Sequence, residues 1–91
     1  MNRQLDKLPT HHNGISIHFT DKTTGTDLEG MLLSINGKSS TSDIEGVAEI
    51  RKIKHGTYNA TVSFDGYVSQ IIKVVIEKGR VLDLEIKMVK V

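Results

Sequence analysis

The chain contains no cysteine and no tryptophan among its 91 residues, which excludes disulfide staples, thiol nucleophiles and thiolate-bound zinc. Aromatic residues are scarce: two Tyr and two Phe. Sugar recognition on a β-sandwich usually needs exposed rings. If Phe19, Tyr58, Phe64 and Tyr67 all serve the core, none is left for that task and carbohydrate binding is not expected. Neither sign of charge predominates, since 12 basic and 11 acidic residues leave a formal net charge of +1. Such a field is too weak to steer the protein toward nucleic acid or anionic lipid. No apolar run approaches the roughly 20 residues of a membrane span. Residues 1–14 mix Arg3, Asp6, Lys7, His11 and His12 with isolated Leu5 and Leu8, which is not the apolar core of a secretory signal.

What is present is the composition of one small globular domain, 37% hydrophobic and 25% charged, with a total stability on the order of 5–15 kcal/mol. Eight glycines punctuate the chain, at intervals suited to a sandwich of short strands. Between them apolar residues alternate with polar ones, so each segment turns one face inward. Ile15, Ile17 and Phe19 form the first row and Met31, Leu33 and Ile35 the second, closed by Asn36-Gly37. Ser39 to Asp43 reads as a short strand or a loop. Ala48 and Ile50 follow, and Ile53 joins that row only if a bulge or turn resets the phase. Tyr58, Ala60, Val62 and Phe64 form the central row, followed by the Asp65-Gly66 turn. Ile72, Val74 and Ile76 come next, then Leu82, Leu84, Ile86 and Met88. No window has helical period. The expected fold is all-β, a seven-stranded antiparallel Greek-key sandwich (Ig-like or prealbumin-like) over 15–91, with an extended N-terminal arm over 1–14.

The run Thr20-Asp21-Lys22-Thr23-Thr24-Gly25, then Leu28-Glu29-Gly30-Met31, Thr41-Ser42-Asp43-Ile44-Glu45-Gly46, Gly56-Thr57-Tyr58-Asn59-Ala60-Thr61-Val62 and Asp65-Gly66-Tyr67 resembles the carboxypeptidase regulatory-like domains. These belong with the transthyretin-like and Cna-B-like sandwiches. The resemblance covers about Ile15 to Met88 and implies the sandwich fold and a role as stalk, spacer, adhesin segment or accessory module. One subgroup carries a Lys–Asn isopeptide between its first and last strands. Here Ile15 to Thr20 has no Lys and Leu82 to Val91 has no Asn, so that cross-link is not expected.

Catalytic chemistry finds little purchase. His11 and His12 point to opposite sides of an extended chain, and His18 and His55 lie elsewhere, so no metal site is expected. Ser, His and Asp occur without a nucleophile elbow, and no glycine spacing suits phosphate. Arg51, Lys52, Lys54 and His55 form the densest basic cluster but lack the free aromatics that stack on bases. No catalytic, cofactor-binding or metal-binding residue is assigned, and no cofactor. The unabsorbed feature is an apolar surplus on faces that should be outward: Leu32, Val47, Ile71, Val75, Val81, Val89 and Val91. Of these, Leu32, Ile71, Val75, Val89 and Val91 form the candidate protein interface.

The sequence thus predicts a non-enzymatic structural or interaction module with a protein partner or homo-oligomeric contact. A phage or virus particle accessory protein, such as a capsid decoration, head-fibre or tail component located in the virion, is the first expectation. A cell-surface or adhesin domain, extracellular and part of a longer secreted protein, is the alternative. A small ligand-binding or enzymatic domain is the third reading, and a polar pocket holding His18 or His55 would favour it.

Overall fold

A computed structural model describes residues 13–91, all-β with no helix among them. The strands are β1 (Gly14–Asp21), β2 (Leu32–Ile35), β3 (Lys38–Thr41), β4 (Val47–Arg51), β5 (Gly56–Ser63), β6 (Gln70–Ile76) and β7 (Val81–Met88). They form two facing sheets, one of three strands in the order β4-β1-β7 and one of four in the order β3-β2-β5-β6. Of the arm expected over 1–14, residues 1–12, with His11 and His12, lie outside the described residues. Asn13 is buried and Gly14 opens β1.

The antiparallel expectation needs one correction. β1 pairs with β4 in antiparallel fashion but with β7 in parallel, from Gly14 opposite Val81 to Asp21 opposite Met88. Alternation assigns faces and carries no information about strand direction. The first and last strands therefore lie side by side and point the same way. The chain enters the body at what we term the proximal end, beside Gly14, and leaves past Met88 at the distal end.

Local chemistry explains the connections. Asn36 (φ 51°) and Gly37 (φ 79°) both occupy the left-handed region, as a two-residue primed hairpin turn demands, and they join Ile35 to Lys38. Ser39 to Thr41 is accordingly strand, part of β3. After β4, Lys52 adopts φ 62°; this single left-handed residue resets the phase and sends Ile53 inward, where it is 1% exposed. At Gly46 (φ 81°) an added Cβ would lie 2.7 Å from the Phe19 carbonyl oxygen, so glycine is required on two counts.

The core is the inward rows: Ile15, Ile17 and Phe19 of β1 face Leu33, Ile35, Ala60, Val62, Val74 and Ile76, with Met31 and Met88 closing the distal end. Of the four rings assigned to the core, Phe19 is fully buried, whereas Tyr58, Phe64 and Tyr67 are half-buried and pack against its rim. The last two strands keep their expected inward rows but are unevenly covered. Ile86, Met88, Val74 and Ile76 are buried, but Leu82, Leu84 and Ile72 are half-covered.

Candidate interaction surfaces

The outer face of the four-stranded sheet carries three of the five candidate interface residues. Leu32 stands opposite Thr41 and Ser63, Ile71 opposite Thr61, and Val75 opposite Thr57. They are exposed by 41%, 73% and 53% respectively. They do not form one patch: β5 presents Thr57, Asn59 and Thr61 between β2 and β6, and Lys73 separates Ile71 from Val75. Val89 and Val91 lie apart from all three, at the distal end, where the Val89 carbonyl accepts from Val68 N–H and Val91 N–H donates to the Gly66 carbonyl. Val68 is itself 48% exposed and extends this distal cluster. Sequence reasoning missed it because the segment after Gly66 lacks alternation and gave no face to assign. Val47 and Val81 are half-buried and leave the surplus.

The distal end is rigidified by polar contacts. Asp21 is buried; its Oδ2 accepts from the Tyr67 hydroxyl at 2.6 Å, and its Oδ1 accepts from the Thr23 and Thr24 N–H groups at 2.8 and 3.0 Å. The tyrosine hydrogen bond, helped by those amides, holds the carboxyl below its ordinary pKa, and the same bond raises that of Tyr67. Phe64 stacks on Tyr67 with ring centroids 5.8 Å apart. Ser42 is buried between two loops, donating to the Leu28 carbonyl at 2.6 Å and accepting from Met31 N–H at 2.8 Å.

His18 lies on the outer face of the three-stranded sheet. Its Nε2 is 2.8 Å from Asp27 Oδ1 and its Nδ1 is 3.8 Å from Glu85 Oε2. The hydrogen bond to Asp27 raises its pKa, with Glu85 adding to the effect and desolvation opposing it. His55 is exposed on the β4–β5 connection at the opposite end. Among the described residues no group of three or more His, Asp or Glu side chains could hold a metal ion.

A groove of about 430 Å³ runs between β6 and β7, where the two sheets gape. Ile72, Val74, Leu82 and Leu84 supply its apolar floor, and Lys73, Glu77, Arg80 and Asp83 its polar rim. These floor residues include the three half-covered members of the expected core rows.

No protein-family model and no curated protein matches the chain. Solved structures do. The Bacillus anthracis TIE protein is 20% identical with a TM-score of 0.75, the match covering 89% of this chain and 17% of that one. The group B streptococcus pilus 2b backbone protein is 17% identical with a TM-score of 0.70, over 87% of this chain and 41% of that one. A type II cohesin–X–dockerin complex from Acetivibrio cellulolyticus is 25% identical with a TM-score of 0.60, over 79% and 52%. The chain thus spans between about a sixth and a half of each of these. The likeness is one of fold: a two-sheet β-sandwich shared with these structures, a pilus backbone protein among them.

Proposed function

We propose that the chain is a non-enzymatic in-line spacer and interaction module of the cell surface or extracellular space. The carrying observation is the parallel ladder between β1 and β7, from Gly14 opposite Val81 to Asp21 opposite Met88. A module whose first and last strands are neighbours, entered at one end and left at the other, can be strung between further domains without turning the chain back. Tension applied to its two ends draws β1 and β7 past each other along their length, so every hydrogen bond of that ladder is loaded at once. The likeness to a pilus backbone protein supports this reading over the virion one. The particle-component expectation gives way to its alternative, which these likenesses back better. His18 on an open sheet face and His55 on an exposed connection give no support to the enzymatic alternative.

The test is single-molecule pulling in two geometries. End-to-end pulling shears the ladder. Pulling between the N-terminal end and a cysteine placed by Lys78→Cys, unique in a chain without cysteine, grips both strands at the proximal end and unzips the ladder pair by pair. The reading expects a clearly higher unfolding force end-to-end; equal forces would sink it. Immunolabelling of intact producing cells tests the location.

A further inference from the structure

The near-neutral balance of the chain conceals a division of charge along its length. Strand directions sort the connections onto two ends. The Asn36-Gly37 hairpin, the β4–β5 connection and the β6–β7 turn all lie at the proximal end, beside Gly14. They carry Lys38, Arg51, Lys52, Lys54, Lys78 and Arg80, all exposed, against the single carboxylate of Glu77. The connections after β1, β3 and β5, and the chain past β7, lie at the distal end. Asp27, Glu29, Asp43, Glu45 and Asp65 are exposed there, against Lys22 and Lys90.

Pairing within the molecule does not cancel this division. Arg51 meets Glu49 at 3.4 Å and Arg80 meets Glu77 at 3.6 Å, both across exposed, water-screened contacts. Among the described residues the four lysines of the proximal end make no ion pair. Residues 1–12 carry Arg3 and Lys7 against Asp6, so they hold no excess of acid to offset that end. The eight-residue strands β1, β5 and β7 keep the two ends about 26 Å apart. That is some three screening lengths at physiological salt, roughly 8 Å each, so each end acts on its surroundings as a separate pole.

A basic end alone would suit any polyanion, but here an acidic end stands on the same molecule. The distal end also exposes Ile44, Val68, Val89 and Val91, apolar ground on which the aliphatic stems of lysine and arginine can lie while their heads reach carboxylates. A second copy of the chain brings those cations. We propose that copies associate head to tail, the basic proximal end of one seated on the acidic distal end of the next. Two different surfaces meet in such a contact, so it extends into an open row, or a ring if the rotation closes, rather than a two-fold dimer. This goes beyond the spacer reading, whose pulling test is made on single molecules and succeeds or fails independently.

Sedimentation tests it. The parent should gain mass with concentration at roughly 0.01 M salt, where charge acts over about 30 Å, and should be monomeric at roughly 1 M, where the reach is about 3 Å. Lys54→Glu with Lys78→Glu removes most of the basic pole, and Glu29→Lys with Glu45→Lys removes the acidic one; all four side chains are exposed, so unfolding midpoints should match the parent's. Each double variant alone should associate at least about tenfold more weakly. Mixed together they should form a one-to-one pair and stop there, because each supplies one intact end. A parent that is monomeric at both salt concentrations overturns the proposal, as does a mixture that stays monomeric. Association unchanged by salt and by both variants would assign self-contact to an apolar face and overturn it as well.

Discussion

Ser42→Ala is the most informative single perturbation of the distal end. The hydroxyl is a two-way joint: it donates to the Leu28 carbonyl and accepts from Met31 N–H, tying the connection after β1 to the one after β3. Met31 is 0% and Ser42 4% exposed, so water cannot replace the lost partner. Each orphaned buried group costs about 1–3 kcal/mol. Leu28, at 8% exposed, lies nearer the surface and its carbonyl falls toward the low end, giving a loss of about 2–4 kcal/mol for the pair. A domain of this size has on the order of 5–15 kcal/mol to lose. With a urea slope near 1 kcal/mol/M, the unfolding midpoint should fall by about 2–4 M, whereas exposed neighbour Thr41→Ala should stay within about 0.5 kcal/mol of the parent. A Ser42→Ala midpoint indistinguishable from the parent's would refute the reasoning.

Phe19→Ala should cost about 3–5 kcal/mol in chemical denaturation, since Phe19 is 0% exposed, and Tyr58→Ala at the rim should cost less; the reverse order would invert the assignment of core and rim. Gly46→Ala, with its left-handed backbone and the Phe19 carbonyl in the way, should destabilise more than Gly37→Ala, which meets nothing within 4 Å and carries the backbone penalty of about 1–2 kcal/mol alone. The Asp21–Tyr67 bond should shape stability at both ends of the pH scale. The contribution of Asp21 is present above its unfolded-state pKa near 3.8 and disappears as pH falls through the lowered folded-state value. That of Tyr67 is present below its unfolded-state pKa near 10.0 and disappears as pH rises through the raised one. Tyr67→Phe should flatten the alkaline limb and weaken the acid one; a profile identical to the parent's would remove the bond from the account. Ile71→Thr with Val75→Thr should leave unfolding within about 0.5 kcal/mol of the parent while weakening association detected by sedimentation, and undiminished association would strike the β6 outer face from the candidate surfaces.

Seven strands and the identity of the inward rows were legible because alternation records which side of each strand meets water. Asn36-Gly37 was legible as a hairpin because the turn needs left-handed residues and the sequence supplies them. Ile53 required a reset of phase, and Lys52 performs it, though nothing in a lysine side chain announces a positive φ. The direction of β7 against β1 was not legible, since pairing partners far apart in sequence leave no mark on local periodicity. The candidate interface was read as a list of outward valines, isoleucines and a leucine. In three dimensions it splits between the β6 face, Leu32 on β2 and the distal cluster of Val89, Val91 and Val68. The groove escaped detection for a complementary reason: Leu82, Leu84 and Ile72 read as ordinary core members, and only the gap between β6 and β7 leaves them short of cover.

The adjacency of the first and last strands also sets a deadline on biosynthesis. β1 is the centre of its sheet, flanked by β4 and β7, and β7 is the latest in sequence of the described strands. A ribosome must therefore release nearly the whole domain before that sheet can close, and the closing step joins the most distant parts of the sequence, which slows it. Until then Ile15, Ile17 and Phe19 have lost one wall of their enclosure. Closure of the three-stranded sheet is thus the step of folding that waits longest on the chain.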